Sequence, residues 1–137
     1  MSLLIEIVTP ERKAYSGDAD SVVLPSVEGE IGVLPGHIPI LTMLDPGELE
    51  VSVGGKIEYL AVDKGFAQVY GDKVSVLTES AINIEEIDLS AVEEARARAE
   101  AALKEADKSG IDPAEVEKLE TIVRFSLAQK LAKQKRL

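Results

Sequence analysis

The chain contains no cysteine, no tryptophan, a single histidine and only five aromatic residues among its 137 residues. Without cysteine it cannot form disulfides, thiolate zinc sites or iron–sulfur sites, and it has no cysteine nucleophile. The single His37 excludes a histidine-cluster metal site and leaves one imidazole for any Ser-His-Asp triad, which argues against a hydrolase. So few aromatic rings provide no base-stacking platform for nucleic acids.

Long hydrophobic runs and positive charge are also scarce. No stretch approaches about 18 apolar residues, so we expect no transmembrane helix. The first residues lack the basic region of a secretory signal and the arginines of a transit peptide, so we expect the protein to stay where it is made. Fifteen basic against 25 acidic side chains give a formal net charge of −10, which repels nucleic-acid phosphates at long range.

The first part of the chain, residues 1–86, is typical of a small antiparallel β-sandwich. Short apolar runs broken by Gly, Pro and Asp predict about ten strands. Apolar and polar residues alternate in 48–53 and 73–77, so these strands should bury one face and expose the other. Four segments have the composition of turns, namely 16–18, 45–47, 54–55 and 71–72.

Residues 87–137 predict an antiparallel two-helix hairpin, because they are rich in helix formers and only Gly110 and Pro113 interrupt them. Gly110 should end the first helix, and Asp112 followed by Pro113 should begin the second. We therefore expect two units, a sandwich over 1–86 and a helical hairpin over 87–137.

The start of the first helix and the apolar stripes of both helices can also be predicted. Ser90 with Glu93 forms a capping box, and Asp88 is a competing cap. The first helix has a narrow stripe of mostly small residues. The stripe of the second helix consists of Val116, Leu119, Ile122, Val123, Leu127 and Leu131.

Charge is unevenly distributed along the chain. Residues 1–86 carry 15 acidic and 5 basic side chains, whereas 87–137 carry 10 of each. The last 17 residues contain five bases and no acid: Arg124, Lys130, Lys133, Lys135 and Arg136. These bases either serve the helix dipole and solubility, or they recognise an acidic partner surface.

Residues 28–49 read EGEIGVLPGHIPILTMLDPGEL and form the most specific pattern of the chain. The glycines allow unusual backbone conformations, and Pro35 and Pro39 fix the chain on either side of His37, so the segment predicts a stiff surface loop. Acidic Glu28 and Glu30 beside apolar residues suit docking to another protein. His37 is either a structural imidazole that hydrogen-bonds a backbone carbonyl or a residue of that interface.

Together with further segments, this pattern resembles the epsilon subunit of bacterial and chloroplast F-type ATP synthases. The similarity extends over essentially the whole chain. Its segments are Thr9-Pro10-Glu11, VVLPSVEGEIGVLPGH, PILTMLDPGEL, Gly65-Phe66-Ala67 and Ile87-Asp88 at the entry to the hairpin.

The resemblance implies a non-catalytic rotor subunit of the central stalk, peripheral on the cytoplasmic face of a bacterial plasma membrane as part of a proton-transporting complex. Its sandwich would contact the gamma subunit and the c-subunit ring and couple ring rotation to ATP synthesis. The residues expected at this interface are Glu28, Glu30, Ile31, Val33 and His37.

For the hairpin, the resemblance implies a folded and an extended placement. When extended, its basic face would approach the catalytic beta (and alpha) subunits and restrain ATP hydrolysis. The residues expected to make these contacts are Arg124, Lys130, Lys133 and Arg136. Some family members bind ATP through an Ile/Leu-Asp-x-x-Arg-Ala motif. Here Ile87 and Asp88 match, the arginine is missing at its place, and Arg96 comes a turn later. We therefore expect no cofactor, with regulatory ATP as the alternative.

Two other functions compete with this interpretation. Lys64 lies between two β runs, as does the modified lysine of a lipoyl-like carrier domain, although no internal repeat accompanies it. The other alternative is a cupin-like or hydrolase enzyme, which lacks the histidine and acid clusters that bind a metal and a glycine-rich phosphate loop.

Overall fold

The computed structural model describes residues 2–110 and 112–135, and for residues 107–109 it describes the backbone only. The strands are β1 Leu3–Val8, β2 Lys13–Ala19, β3 Ser21–Ser26, β4 Gly29–Val33, β5 Ile40–Leu44, β6 Gly47–Val53, β7 Lys56–Val62, β8 Gly65–Tyr70, β9 Lys73–Thr78 and β10 Ala81–Asn83. A 3₁₀ turn, Ile84–Glu86, leads to the helices α1 Leu89–Ser109 and α2 Pro113–Gln134.

The strands form one sheet that folds over into two layers. Their order is β10-β7-β6-β3-β5-β8-β9-β1-β2, with β4 paired to β3. A single residue pair, Ser26 with Leu44, joins β3 to β5, and β2 contacts β6 on the opposite side, so the sandwich is nearly closed. Most pairs are antiparallel, and β1 runs parallel to β9. The predicted fold, a mostly antiparallel sandwich of about ten strands followed by two helices, is confirmed.

The space between the layers is filled by aliphatic side chains. Its largest fully buried members come from β1 and β3 to β9: Leu3, Ile5, Ile7, Leu24, Leu44, Leu49, Val22, Val33, Val51, Val62, Val69 and Val74. In β1 and β8 they alternate with more exposed residues. Removal of this apolar area from water is the main stabilising contribution to the sandwich.

Two of the predicted turns have the backbone conformation that hairpin turns require. Gly54 and Gly55 have φ +57° and +83°, and Gly71 and Asp72 have φ +58° and +57°. Positive φ at both central positions matches the right-handed twist of the flanking strands. The turn predicted at 16–18 is wrong: these residues lie inside β2 and pair with Glu6, Ile5 and Leu4 of β1.

The helix ends follow local signals, with one exception. Asp88 caps α1, because its carboxylate accepts hydrogen bonds from the backbone N–H of Ser90 at 3.0 Å and of Ala91 at 3.4 Å. The capping box predicted at Ser90 is therefore wrong, and the competing Asp88 cap is the one used. Gly110 ends α1 with φ +66°, and Asp112 caps α2, both as predicted.

The hairpin is folded against the sandwich, with α2 between α1 and strands β6 and β7. A second apolar cluster at this junction comprises buried Ala61, Ile84, Ile87, Val92 and Ala132 with half-buried Tyr59, Ile82 and Phe125. The predicted stripe of α2 is only partly right, because Ile122, Leu127 and Leu131 are 44%, 41% and 58% exposed. Small Thr121, Ser126 and Ala132 are buried instead, together with the half-buried Phe125. The separate roles assigned to 1–86 and 87–137 stay a prediction.

Candidate functional site

The loop between β4 and β5 is fixed by backbone and side-chain hydrogen bonds. The N–H of His37 donates to the carbonyl of Leu34 at 3.1 Å, and Gly36 between them has φ +85°. The Gly36 N–H donates to the carboxylate of Asp72 at 2.7 Å. This bond attaches the loop to the β8–β9 turn, so the loop presents one defined surface.

His37 itself makes a local contact. Its Nδ1 lies 2.6 Å from the carbonyl oxygen of Ile38, and the residue is half-buried. With Nδ1 protonated, the ring donates this hydrogen bond, which corresponds to the structural alternative for His37. Its role at a partner interface stays a prediction.

The predicted interface residues do not form one continuous loop, because residues 29–33 are strand β4. Glu28 lies in the turn that precedes β4 and His37 in the loop that follows it, so the length of β4, roughly 13 Å, separates the two. Glu28 and Glu30 are exposed, and Ile31 is half-buried against the core. Val33 is 0% exposed, so its assignment as a contact residue is wrong: it points into the core and has no surface to offer.

A large exposed apolar surface lies on the outer side of strands β5, β8 and β9. It was not predicted from the sequence. Leu41 and Met43 on β5, Phe66 on β8 and Leu77 on β9 are 73%, 55%, 50% and 59% exposed. Met43 pairs with Phe66, and Phe66 with Leu77, so these side chains adjoin across three strands. We call these four residues the β5–β8–β9 face. Its signal was present as apolar residues at both alternating positions of β5, which a strand with one wet face should not have.

More exposed apolar side chains border the loop around His37. Leu34 and Ile38 are 63% and 71% exposed. A soluble monomer rarely exposes such contiguous apolar groups, and they usually mark a surface that another protein covers.

The predicted basic residues of α2 do not share one face of the helix. Arg124 and Lys133 are nine residues apart, about two and a half turns, so they project to opposite sides. Arg124 is exposed, whereas Lys130 and Lys133 are half-buried in the folded hairpin. Arg136 lies outside the described residues.

Lys130 takes part in a group of three charges that links the two helices. Its Nζ lies 2.8 Å from Glu93 Oε1, and Arg96 on α1 lies 2.9 Å from Glu93 Oε2. The contact with Lys130, followed by that with Arg96, lowers the pKa of Glu93 against a smaller opposing effect of desolvation. Glu93 is therefore an ionised bridge between α1 and α2 at neutral pH.

Asp63 is the buried acid at the edge of the junction, 7% exposed. Its Oδ1 accepts the N–H of Lys64 at 2.7 Å. Burial raises the pKa of Asp63, while that hydrogen bond and the charges of Lys64 and Arg124 oppose the increase. Lys64 itself joins β7 to β8, which are not paired with each other, so it is not at the tip of a hairpin.

The residues considered for ATP are already engaged within the chain. Ile87 is buried in the junction cluster, the carboxylate of Asp88 caps α1, and Arg96 contacts Glu93. Within the described residues, no group of three or more histidine and acidic side chains is placed to hold a metal ion. In the same part of the chain, no helix is long and apolar enough to cross a membrane.

Comparison with known proteins identifies the family. The model of the beta-sandwich domain of the ATP synthase delta/epsilon chain matches residues 2–84. The chain belongs to the ATP synthase epsilon chain family. The epsilon chain of Dehalococcoides mccartyi is 41% identical to it over 133 residues, 96% of this chain and 95% of the relative. That of Acidithiobacillus ferridurans is 38% identical over 135 residues, 98% of this chain and 96% of the relative.

Solved structures agree with this family. A chain in the structure of Euglena gracilis mitochondrial ATP synthase, OSCP/F1/c-ring, matches with TM-score 0.76 and 26% identity, covering 96% of this chain and 81% of that chain. A chain from the central stalk/c-ring of Tetrahymena thermophila mitochondrial ATP synthase shares the fold, with TM-score 0.53 and 14% identity over 63% of this chain and 69% of that chain. Family membership contradicts the carrier-domain and cupin-like interpretations.

Proposed function

We propose that this epsilon chain is a non-catalytic rotor subunit of the central stalk, which joins the gamma subunit to the c-subunit ring and couples ring rotation to ATP synthesis. The observation that carries the proposal is the exposed β5–β8–β9 face on an otherwise acidic sandwich. Such a surface contributes binding energy when a partner covers it. The similarity to a chain of the Euglena ATP synthase OSCP/F1/c-ring structure supports the same placement.

Two different surfaces suit two different partners. The β5–β8–β9 face and the adjoining loop with Leu34, His37 and Ile38 suit an apolar surface of gamma. Glu28 and Glu30, on and beside the exposed turn at the other end of β4, suit polar loops of the ring. Because β4 separates these surfaces, each partner has a site of its own, and the chain can hold both at once.

Pull-down of a tagged chain from native membranes tests this docking. We expect gamma and c subunits to be recovered with the unaltered chain. Phe66→Asp places a charge in the β5–β8–β9 face and should lower recovery of gamma about tenfold or more. Val53→Asp is the control, since Val53 is 39% exposed at the end of β6, away from this face. Equal recovery with both variants would contradict the assignment of the face to gamma.

The helical hairpin is proposed to restrain ATP hydrolysis through basic side chains of α2 that contact the catalytic beta (and alpha) subunits. Arg124 is exposed for such a contact, and Lys130, Lys133 and Arg136 would join it when the hairpin extends. Deletion of residues 88–137 should raise hydrolysis by the assembled complex. The full-length Arg124→Gln variant should raise it less, and unchanged rates in both would contradict the regulatory role.

We propose no cofactor for this chain and no regulatory ATP in the folded hairpin. The support is the engagement of Asp88 and Arg96 with other groups of the chain. Isothermal titration of the isolated chain with ATP should show no heat of binding; saturable binding would contradict this.

The proposed location is the cytoplasmic face of a bacterial plasma membrane, peripheral within a proton-transporting complex.

A further inference from the structure

In the folded hairpin, Lys130 and Lys133 near the end of α2 both lie beside oxygen atoms of this same chain. Lys130 contacts the Glu93 carboxylate at 2.8 Å. The Nζ of Lys133 donates to the carbonyl of Glu85 at 3.5 Å, and one depression is lined by Lys133 together with the acids Glu58 and Glu85.

Two residues further along the chain, another basic side chain lies near acids of the sandwich. Lys135 lines a depression of the sandwich surface with three acids from β4 and β6: Glu30, Glu48 and Glu50. Near the middle of α2, Arg124 acts electrostatically on Asp63 at the end of β7. Six of the fifteen acids of residues 1–86 thus lie near basic side chains of α2.

These ion pairs are weak enough for another carboxylate to replace the internal one. The side chains of Lys130 and Glu93 are 28% and 40% exposed, so water and salt reach the pair. Ion pairs with this exposure contribute little each and are weakened by salt. Several of them acting on one helix can hold it closed against solvent, while each remains replaceable by another carboxylate.

We propose that the acids facing α2 are internal competitors for its basic side chains, so that an acidic protein surface obtains these side chains only by displacing Glu93 and the sandwich acids. The identity of the external surface rests on the proposed function, whereas the internal competition rests on the contacts of the chain itself. The folded hairpin then keeps Lys130 and Lys133 occupied until a surface of similar chemistry is presented.

Competition predicts opposite effects for the two sides of one ion pair. Glu93→Gln removes the competitor and frees Lys130, so the variant should restrain hydrolysis by the assembled complex more strongly than the unaltered chain. Lys130→Gln removes the shared ligand and should restrain hydrolysis less. A merely structural ion pair would give both variants the same sign, because either change weakens the same contact.

The isolated chain provides the second test, and its lack of cysteine makes labelling specific. Cysteines at exposed Gln68 and Gln134 would carry a fluorescent donor and acceptor that report the distance between sandwich and hairpin. Raising sodium chloride from about 20 mM to about 500 mM should increase the released fraction, because the Debye length falls to a few ångströms. Lys133→Gln should raise it about two- to fivefold at low salt, because Lys133 contacts the turn after β10 and not α1.

Lys118→Gln is the matched control. Lys118 pairs with Glu115 at 3.7 Å within α2 itself, with side chains 74% and 59% exposed, so its loss should not change the released fraction. Far-ultraviolet circular dichroism distinguishes release from loss of helix. A released fraction independent of salt and of Lys133→Gln, or hydrolysis effects of the same sign for Glu93→Gln and Lys130→Gln, would overturn the inference. If deletion of the hairpin leaves hydrolysis unchanged while the salt response is present, the proposed function fails and the internal competition stands.

Discussion

Two apolar clusters hold this chain together, and they differ in size and in surroundings. Among the described residues, the cluster inside the sandwich has seventeen buried apolar side chains, whereas the junction between hairpin and sandwich has five. Charged groups border the junction closely, among them Asp63, Glu93 and Lys130. A small cluster surrounded by charges opens at lower cost than a large aliphatic core, so the hairpin can leave while the sandwich stays folded.

The largest expected effect comes from the sandwich core. Ile5→Ala should lower the free energy of unfolding by about 2–5 kcal/mol, because Ile5 is 0% exposed and its loss leaves a cavity. The control is Leu4→Ala on the same strand, where the side chain is 40% exposed and the change should stay within about 0.5 kcal/mol. Urea unfolding of the isolated chain measures both, and equal losses would refute the two-sided strand.

An intermediate effect is expected at the junction. Phe125→Ala should destabilise docking of α2 by about 1–2 kcal/mol, less than for a core phenylalanine, because Phe125 is only half-buried. Hydrogen exchange of the α2 amides should accelerate while the strand amides keep their protection. Leu131→Ala, at a position 58% exposed, is the control and should change little. Equal acceleration in α2 and the strands would show that the two clusters unfold as one.

The smallest effect is expected for Asp63→Asn, and its sign depends on pH. Burial is the main cause that raises the pKa of Asp63, so the folded state favours the protonated acid. The stability of the unaltered chain relative to Asp63→Asn should therefore fall as pH rises from the ordinary pKa of an aspartate through the raised folded value. Asparagine keeps an oxygen for the Lys64 N–H, so the hydrogen bond is preserved. A relative stability that rises with pH over this range would contradict the assignment.

Local features of the chain could be predicted from sequence, and contacts between distant segments could not. Gly54–Gly55 and Asp112 with Pro113 act through their own backbone, so their turn and helix start were predicted correctly. The strand position of 16–18 depends on pairing with β1, which composition does not show. Likewise, burial of Thr121 and Ala132 in place of Leu131 depends on how α2 packs between α1 and the sandwich.

The candidate site shows the same limit. The motif at residues 28–37 predicted a surface for docking, but not that β4 would separate Glu28 from His37 or that Val33 would be buried. The β5–β8–β9 face is assembled from three strands by register, with Met43, Phe66 and Leu77 adjacent only in the folded sheet. No single segment contains it, so only the three-dimensional arrangement reveals it.

The parallel pairing of β1 with β9 has a consequence for synthesis of the chain. Leu4 of β1 pairs with Lys73 of β9. β1 is the first strand to leave the ribosome, and the edge that does not pair with β2 stays uncovered until β9 has been synthesised. Pairings this distant in sequence form slowly, and an uncovered strand edge is prone to associate with other chains. A nascent chain that stalls before residue 73 would therefore expose β1, and we expect such fragments to aggregate while the finished chain does not.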